Sequence, residues 1–192
     1  MRFVSLAVLV VLLPLAAPAS AQLPGPDVIL RAGINFTEGG DTPPDVDTDG
    51  GFGWQVGADV PLGGGLFSIQ PGIHYQHLAP QFGGLGEDDG VGINGFHIPV
   101  MGVIRINAII TGLRAFAGPT MTLVTDVSDN DFDLDKDDFN SPFFGGMIGA
   151  GADLFGMMID LGWETTFTDV FDGGNFDGGK LNTFRITLGF GL

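Results

Sequence analysis

Apolar and polar residues alternate in this chain over long stretches, and the alternation is clearest at its end. Phe184, Ile186, Leu188, Phe190 and Leu192 fall on one face, while Thr183, Arg185, Thr187, Gly189 and Gly191 fall on the other. A strand turns successive side chains to opposite faces, so this segment predicts a strand with one apolar wall and one wall of small or polar groups. The same dyad recurs upstream. Val28, Leu30, Ala32, Ile34 and Phe36 oppose Ile29, Arg31, Gly33 and Asn35; Phe52, Trp54, Val56, Ala58 and Val60 oppose Gly53, Gln55, Gly57 and Asp59.

Eight such segments are predicted: Val28–Phe36, Phe52–Pro61, Leu66–Leu78, Gly95–Ile106, Leu113–Val124, Phe143–Leu154, Met157–Asp169 and Leu181–Leu192. The fourth to sixth are less clean, with Met101, Val103, Phe116 and Met147 on the face that is otherwise polar. Long connections (Thr37–Gly51, Ala79–Asn94, Thr125–Pro142, Val170–Lys180) alternate with short ones (Leu62–Gly65, Asn107–Gly112, Phe155–Gly156). An even strand number with alternating long and short connections is the pattern of an eight-stranded, antiparallel, up-and-down transmembrane β-barrel, with the short turns and both chain ends in the periplasm.

Alternation alone does not say which face points outward. A soluble ligand-binding barrel would enclose the apolar face and turn the polar one to water. Here the polar face carries about one charge per strand and is otherwise Gly, Thr, Ser and Gln, whereas a water-facing wall is rich in Lys, Glu and Asp. Small residues suit the lumen of an eight-stranded barrel, which is only just wide enough for side chains to fill. The apolar face is therefore expected to meet lipid. Phe36, Phe52, Trp54, Tyr75, Phe96, Trp163, Phe167 and Phe184 fall toward the loop ends of their strands, and Phe67 and Phe190 toward the turn ends, as two interfacial girdles would.

The chain opens with Arg2, an apolar stretch from Phe3 to Leu15 and the small residues Ala19-Ser20-Ala21. This reads as a secretory signal peptide over residues 1–21, leaving residues 22–192 as the barrel domain. Without cysteine, the leader is not of the lipoprotein type, and disulfides and thiol chemistry are excluded. The 33 glycines and 17 phenylalanines among 192 residues disfavour long helices and favour pleated surfaces. With 23 acidic residues against seven basic ones, a net charge of −16 argues against a nucleic-acid partner, which requires a concentrated basic face.

The stretch GADVPLGGGLFSIQPGIHYQ (Gly57–Gln76), with IPV at Ile98–Val100, AGPTMTL at Ala117–Leu123, GAGADL at Gly149–Leu154 and the terminal FRITLGFGL, resembles the porin-like outer-membrane β-barrel family common in Bacteroidetes-type bacteria, among the small OmpA-, OmpX- and opacity-like barrels. The resemblance implies the fold and an outer-membrane location, and says almost nothing about activity. Two departures stand out: Trp163-Glu164 occupies a position where the family often has Arg-Tyr, and the chain ends in Leu192 where many members end in Phe. Recognition by the outer-membrane assembly machinery would then rest on Phe190 and Leu192.

Candidate chemistry lies in three places. Arg31, Arg105, Arg114 and Arg185 and the acids Asp59, Asp153, Asp160 and Glu164 all fall on the lumen face, where Arg forks can hold carboxylates. An interior ion-pair network that plugs the barrel is expected, with a narrow charge-lined channel as the alternative. Arg31 and Asp59 lie near the same end of neighbouring strands and could pair. The long loops hold most of the acids. DVDTDGG places Asp45, Asp47 and Asp49 at alternate positions, like the opening of a Ca²⁺ loop, but the twelfth position is Val56 rather than Glu. Asp129, Asp131 and Asp133 repeat the spacing; weak Ca²⁺ or Mg²⁺ association there, in contact with lipid and lipopolysaccharide headgroups, is the only cofactor expected.

His74 and His97 point inward on adjacent strands and could seat a two-ligand metal or pH-sensing site, although such residues more often fill space with their hydrogen bonds satisfied. No Ser-His-acid set emerges, since Ser68, the serine nearest a histidine in sequence, is too far along its strand from His74 for a hydrogen bond. The expectation is a monomeric, non-enzymatic outer-membrane barrel with a structural or surface-interaction role. The alternatives are a small channel, a lipid-A-modifying enzyme and a soluble binding barrel.

Overall fold

A computed structural model describes residues 28–40, 48–82, 91–107, 111–128, 136–154, 156–170 and 179–192; the leader expected over residues 1–21 lies outside them. Eight long strands form the wall: β1 (Ile29–Gly40), β2 (Gly51–Asp59), β3 (Phe67–Leu78), β4 (Ile93–Asn107), β5 (Thr111–Val127), β6 (Phe143–Leu154), β7 (Met157–Thr166) and β8 (Lys180–Gly191). Each pairs antiparallel with its sequence neighbours, and β1 also pairs with β8 from Ile29↔Gly191 to Gly40↔Lys180. The sheet is closed. Closure leaves no row of unpaired N–H and C=O groups, the condition for a sheet to reside in hydrocarbon.

Several strands are longer at the loop end than the alternation predicts. β1 runs to Gly40 rather than Phe36, and β5 to Val127 rather than Val124. A residue inserted at Thr125, where the β4–β5 register shifts beyond Asn94, breaks the dyad and hides the last turn of β5 from a period-two reading. In the other direction, β2 stops at Asp59 instead of Pro61, because Pro61 has no N–H to give the ladder. Leu62–Gly64 then folds back on Phe67–Ile69 through a turn at Gly65-Leu66, Gly65 having a positive φ. β7 ends at Thr166, short of the predicted Asp169.

The two faces sort as the membrane reading requires. Trp54, Leu161 and Ile148 are 44, 48 and 64 % exposed, while Arg31, Arg114 and Arg185 are no more than 6 % exposed. A water-soluble barrel would have the reverse. Around the loop end of the outer wall Phe36 meets Phe52 edge-on at 5.5 Å, Trp54 lies 5.9 Å from Tyr75, and Tyr75 lies 5.5 Å from Phe96. Trp163 stands opposite Phe184, and Phe184 opposite Phe36, so the aromatic girdle continues across the closing seam.

Candidate functional site: the packed lumen

Most of the inward-facing polar groups form two bonded networks that meet at the His74 and His97 rings and together draw on all eight strands. At the short-turn end, Arg105 Nε lies 2.8 Å from Asp153 Oδ2, and this pair is about a fifth exposed. Arg114 follows, with Nε 3.2 Å from Asp160 Oδ1. Arg31 then bridges Asp160 and Asp59, donating to both carboxylates. Asp59 also accepts from Gln70 Nε2 at 2.6 Å and pairs with His74 Nε2 at 2.8 Å.

Farther toward the loops, Glu164 is the hub. Its Oε1 accepts from Thr120 Oγ1 at 2.7 Å and lies 3.2 Å from His97 Nε2, while Oε2 accepts from Arg185 Nε at 2.8 Å. Arg185 in turn donates to Gln55 Oε1 at 2.5 Å and Gln76 Oε1 at 2.9 Å. All eight charged residues singled out in the sequence line the lumen, and each has an oppositely charged neighbour. Four cations face four anions, so the interior carries no net formal charge, a necessity where an unpaired buried ion costs several kcal/mol.

Glycine makes room for these groups. A Cβ on Gly57 would collide with the His74 ring, and one on Gly151 with the Asp160 carboxylate. The large polar side chains thus cross the narrow lumen over neighbouring positions that have no side chain.

Two apolar clusters complete the filling. Met101, Val103 and Phe116, joined by Met147, pack together inside. These are the residues that spoil the dyad in the sequence; they form an apolar patch on the β4–β6 side of the lumen. At the loop end Leu78, Ile93, Val124, Phe143 and Leu181 converge with Val91, Phe139 and Val170 from the connections. This cap over the mouth was not foreseen. Its strand members fall on the inward, otherwise polar face and so depart from the dyad, and its loop members lie in acidic segments without periodicity. Between cap and short-turn end, a cavity of about 40 Å³ is lined by the two histidines, the inner arginines and the methionines, room for a few waters.

The remaining candidates are less informative. Asp45, Asp47, Asp129, Asp131 and Asp133 lie outside the described residues; the backbone of Asp49 pairs with Gln81. Phe190 and Leu192 are on the outer wall, 54 and 66 % exposed. On the outer wall the fold also creates a juxtaposition that sequence distance conceals. His77 Nδ1 lies 2.9 Å from Asn94 Oδ1, and Asn94 Nδ2 reaches Asp126 at 3.4 Å. A Cβ on Gly92 would lie 2.6 Å from Ser128 Oγ and 2.9 Å from His77 Cε1, so serine and imidazole are close neighbours although 51 positions apart.

A family model described as the outer membrane protein beta-barrel domain matches residues 5–191. Among solved structures, the chain is similar to Neisserial surface protein A (TM-score 0.55, 7 % identity, 86 % of this chain and 97 % of that one). It is also similar to the outer-membrane enzyme PagL (TM-score 0.51, 12 % identity, 84 % and 99 %). At such identities the likeness is one of fold. No curated protein matches the sequence significantly.

Proposed function

The chain belongs to the outer membrane protein beta-barrel domain family, and we propose that within it this protein is a closed, non-conducting and non-enzymatic barrel. In this reading it is monomeric, and its acidic loops serve surface and lipid-headgroup contact. The family places it in the outer membrane. The observation that carries the reading is the filling of the lumen, by a charge-balanced ion-pair array under an apolar cap. An eight-stranded barrel has no spare diameter, and an ion crossing this one would have to break several desolvated pairs in succession.

The orientation in this reading is that of the barrel pattern of short turns and long loops. Short turns and both termini face the periplasm, and the cap with its acidic connections faces outward. Planar-bilayer recording tests the reading: purified protein is expected to insert without a steady open state. A reproducible unitary conductance would overturn it in favour of the channel.

One observation favours a second reading, an enzyme acting on lipid esters. Asn94 Oδ1 can only accept, so His77 carries its proton on Nδ1 and presents the Nε2 lone pair, the arrangement a general base needs beside a serine. The array sits on the outer wall in the row of Trp54, where lipid headgroups meet acyl chains. Mass spectrometry of lipid A from cells with and without the protein separates the readings. Loss of an acyl chain that Ser128→Ala abolishes would establish the enzyme, and unchanged lipid would leave the structural barrel.

A further inference from the structure

His74 and His97 stand directly opposite each other on β3 and β4, with ring centroids 5.8 Å apart. Each gives its Nε2 to a carboxylate that already has an arginine partner, Asp59 for His74 and Glu164 for His97. Each Nδ1 is buried and has no hydrogen-bond partner. The two residues are 4 % and 0 % exposed, and both line the interior cavity together with Met101 and Met147.

The tautomer follows from the partners. A carboxylate only accepts, so Nε2 carries a proton, and the neutral form of each imidazole has its lone pair on Nδ1. Two buried acceptors without partners, on residues that line one small cavity, call for something electron-poor inside it. A histidine whose outer N–H is held by a carboxylate is the arrangement seen where the other nitrogen binds a metal, because the carboxylate fixes the ring and raises its basicity. Two imidazoles bound at about 2.0–2.1 Å would hold their centroids roughly 5–6.5 Å apart, a range that includes the observed spacing.

We propose that His74 and His97 form an interior site for a soft monovalent metal ion, Cu(I) in chemical class, completed by the thioethers of Met101 and Met147. Three observations select that class. The donors are two neutral nitrogens with sulfur nearby, a set suited to copper and unsuited to Ca²⁺ or Mg²⁺. Among the described residues, no group of three His, Cys, Asp or Glu could hold a metal, so a carboxylate-rich zinc or iron site is not at hand. The surrounding charges already cancel, and in a low-dielectric lumen a monocation adds the least uncompensated charge.

The test uses the full mature chain folded into detergent micelles, with Cu(I) supplied anaerobically against a chromogenic chelator. Wild type is expected to hold one Cu(I) per chain, with an X-ray absorption spectrum showing imidazole nitrogen and at least one sulfur. His74→Gln and His97→Gln keep a donor toward Asp59 and Glu164 while removing the ligand. Each should weaken binding by more than the 10–100-fold that loss of an outer carboxylate costs, with heat-modifiable gel mobility confirming the fold. Met101→Leu, which preserves volume, should weaken binding without abolishing it and serves as the variant if the histidine changes prevent folding. Copper binding no greater than that of the double histidine variant overturns the proposal and leaves a bridging water as the occupant. So does a spectrum without imidazole, or preference for Zn²⁺ over Cu(I).

Discussion

Arg185 stands opposite Gly162 across the β7–β8 pairing, not opposite Glu164, and its guanidinium reaches two positions along β7 to hold the Glu164 carboxylate at 2.8 Å. The pair is therefore diagonal to the strand register. Removing one partner strands the other in the lumen, so Arg185→Ala and Glu164→Ala should each destabilise the barrel by about 3–5 kcal/mol. Reversible urea unfolding in lipid vesicles measures this. A double-mutant cycle should return a coupling of the order of 0.5–3 kcal/mol, and additive effects would show that the two residues act separately.

The crossing geometry makes a second prediction about size. Gly151→Val places a branched side chain where the Asp160 carboxylate lies, and overpacking of this kind costs about 1–3 kcal/mol. Ala150→Val, one residue away on the outer wall, only adds apolar surface to lipid and should be close to neutral. Equal loss in both variants would contradict the assignment of inner and outer faces.

Depth in the bilayer supplies a third. Leu161 is on the outer wall near the middle of β7, between Met157 toward the turns and Trp163 in the upper girdle. Leu161→Arg is expected to cost about 2–4 kcal/mol, and Met157→Arg about 0–1, because charge on the lipid face is penalised according to depth. Unfolding in bilayers of matched thickness distinguishes this from an effect of sequence alone.

The apolar cap gives a fourth. Phe143 is 3 % exposed within the cluster over the mouth, and truncation to Ala should cost about 3–5 kcal/mol. Conductance should nonetheless stay silent, since the ion pairs beneath remain in place. Channel openings in Phe143→Ala would make the cap the sole barrier.

The wall of this barrel could be read from the sequence because a closed sheet imposes one rule, period two, on every strand and adds one sign, lipid outside. Ile34, Trp54, Leu161 and Ile186 obey it, and their faces follow. The lumen could be read only as a composition. Which carboxylate meets which arginine depends on register and on the tilt of strands around the closure, and neither leaves a local mark: nothing near Arg31 indicates that Asp160, 129 positions away, is one of its partners. Ser128 and His77 were likewise invisible as neighbours until β3 and the ends of β4 and β5 were placed. Val91 and Val170 were unreadable for another reason, since one or two apolar residues in a polar connection have no period to reveal what they cover.

The closing seam has a consequence for how the molecule comes into being. Its pairs join residues 140 to 162 positions apart, the most distant contacts the described chain makes between strands. Contacts of that separation incur their loop-closure entropy before they return any energy, so they form last. Neighbouring strands can assemble as they emerge, but until β8 meets β1 the sheet is an open ribbon whose two edges no lipid can satisfy. For this chain, insertion and circularisation must therefore be nearly the same event, and the order of its strands is a schedule as well as an architecture.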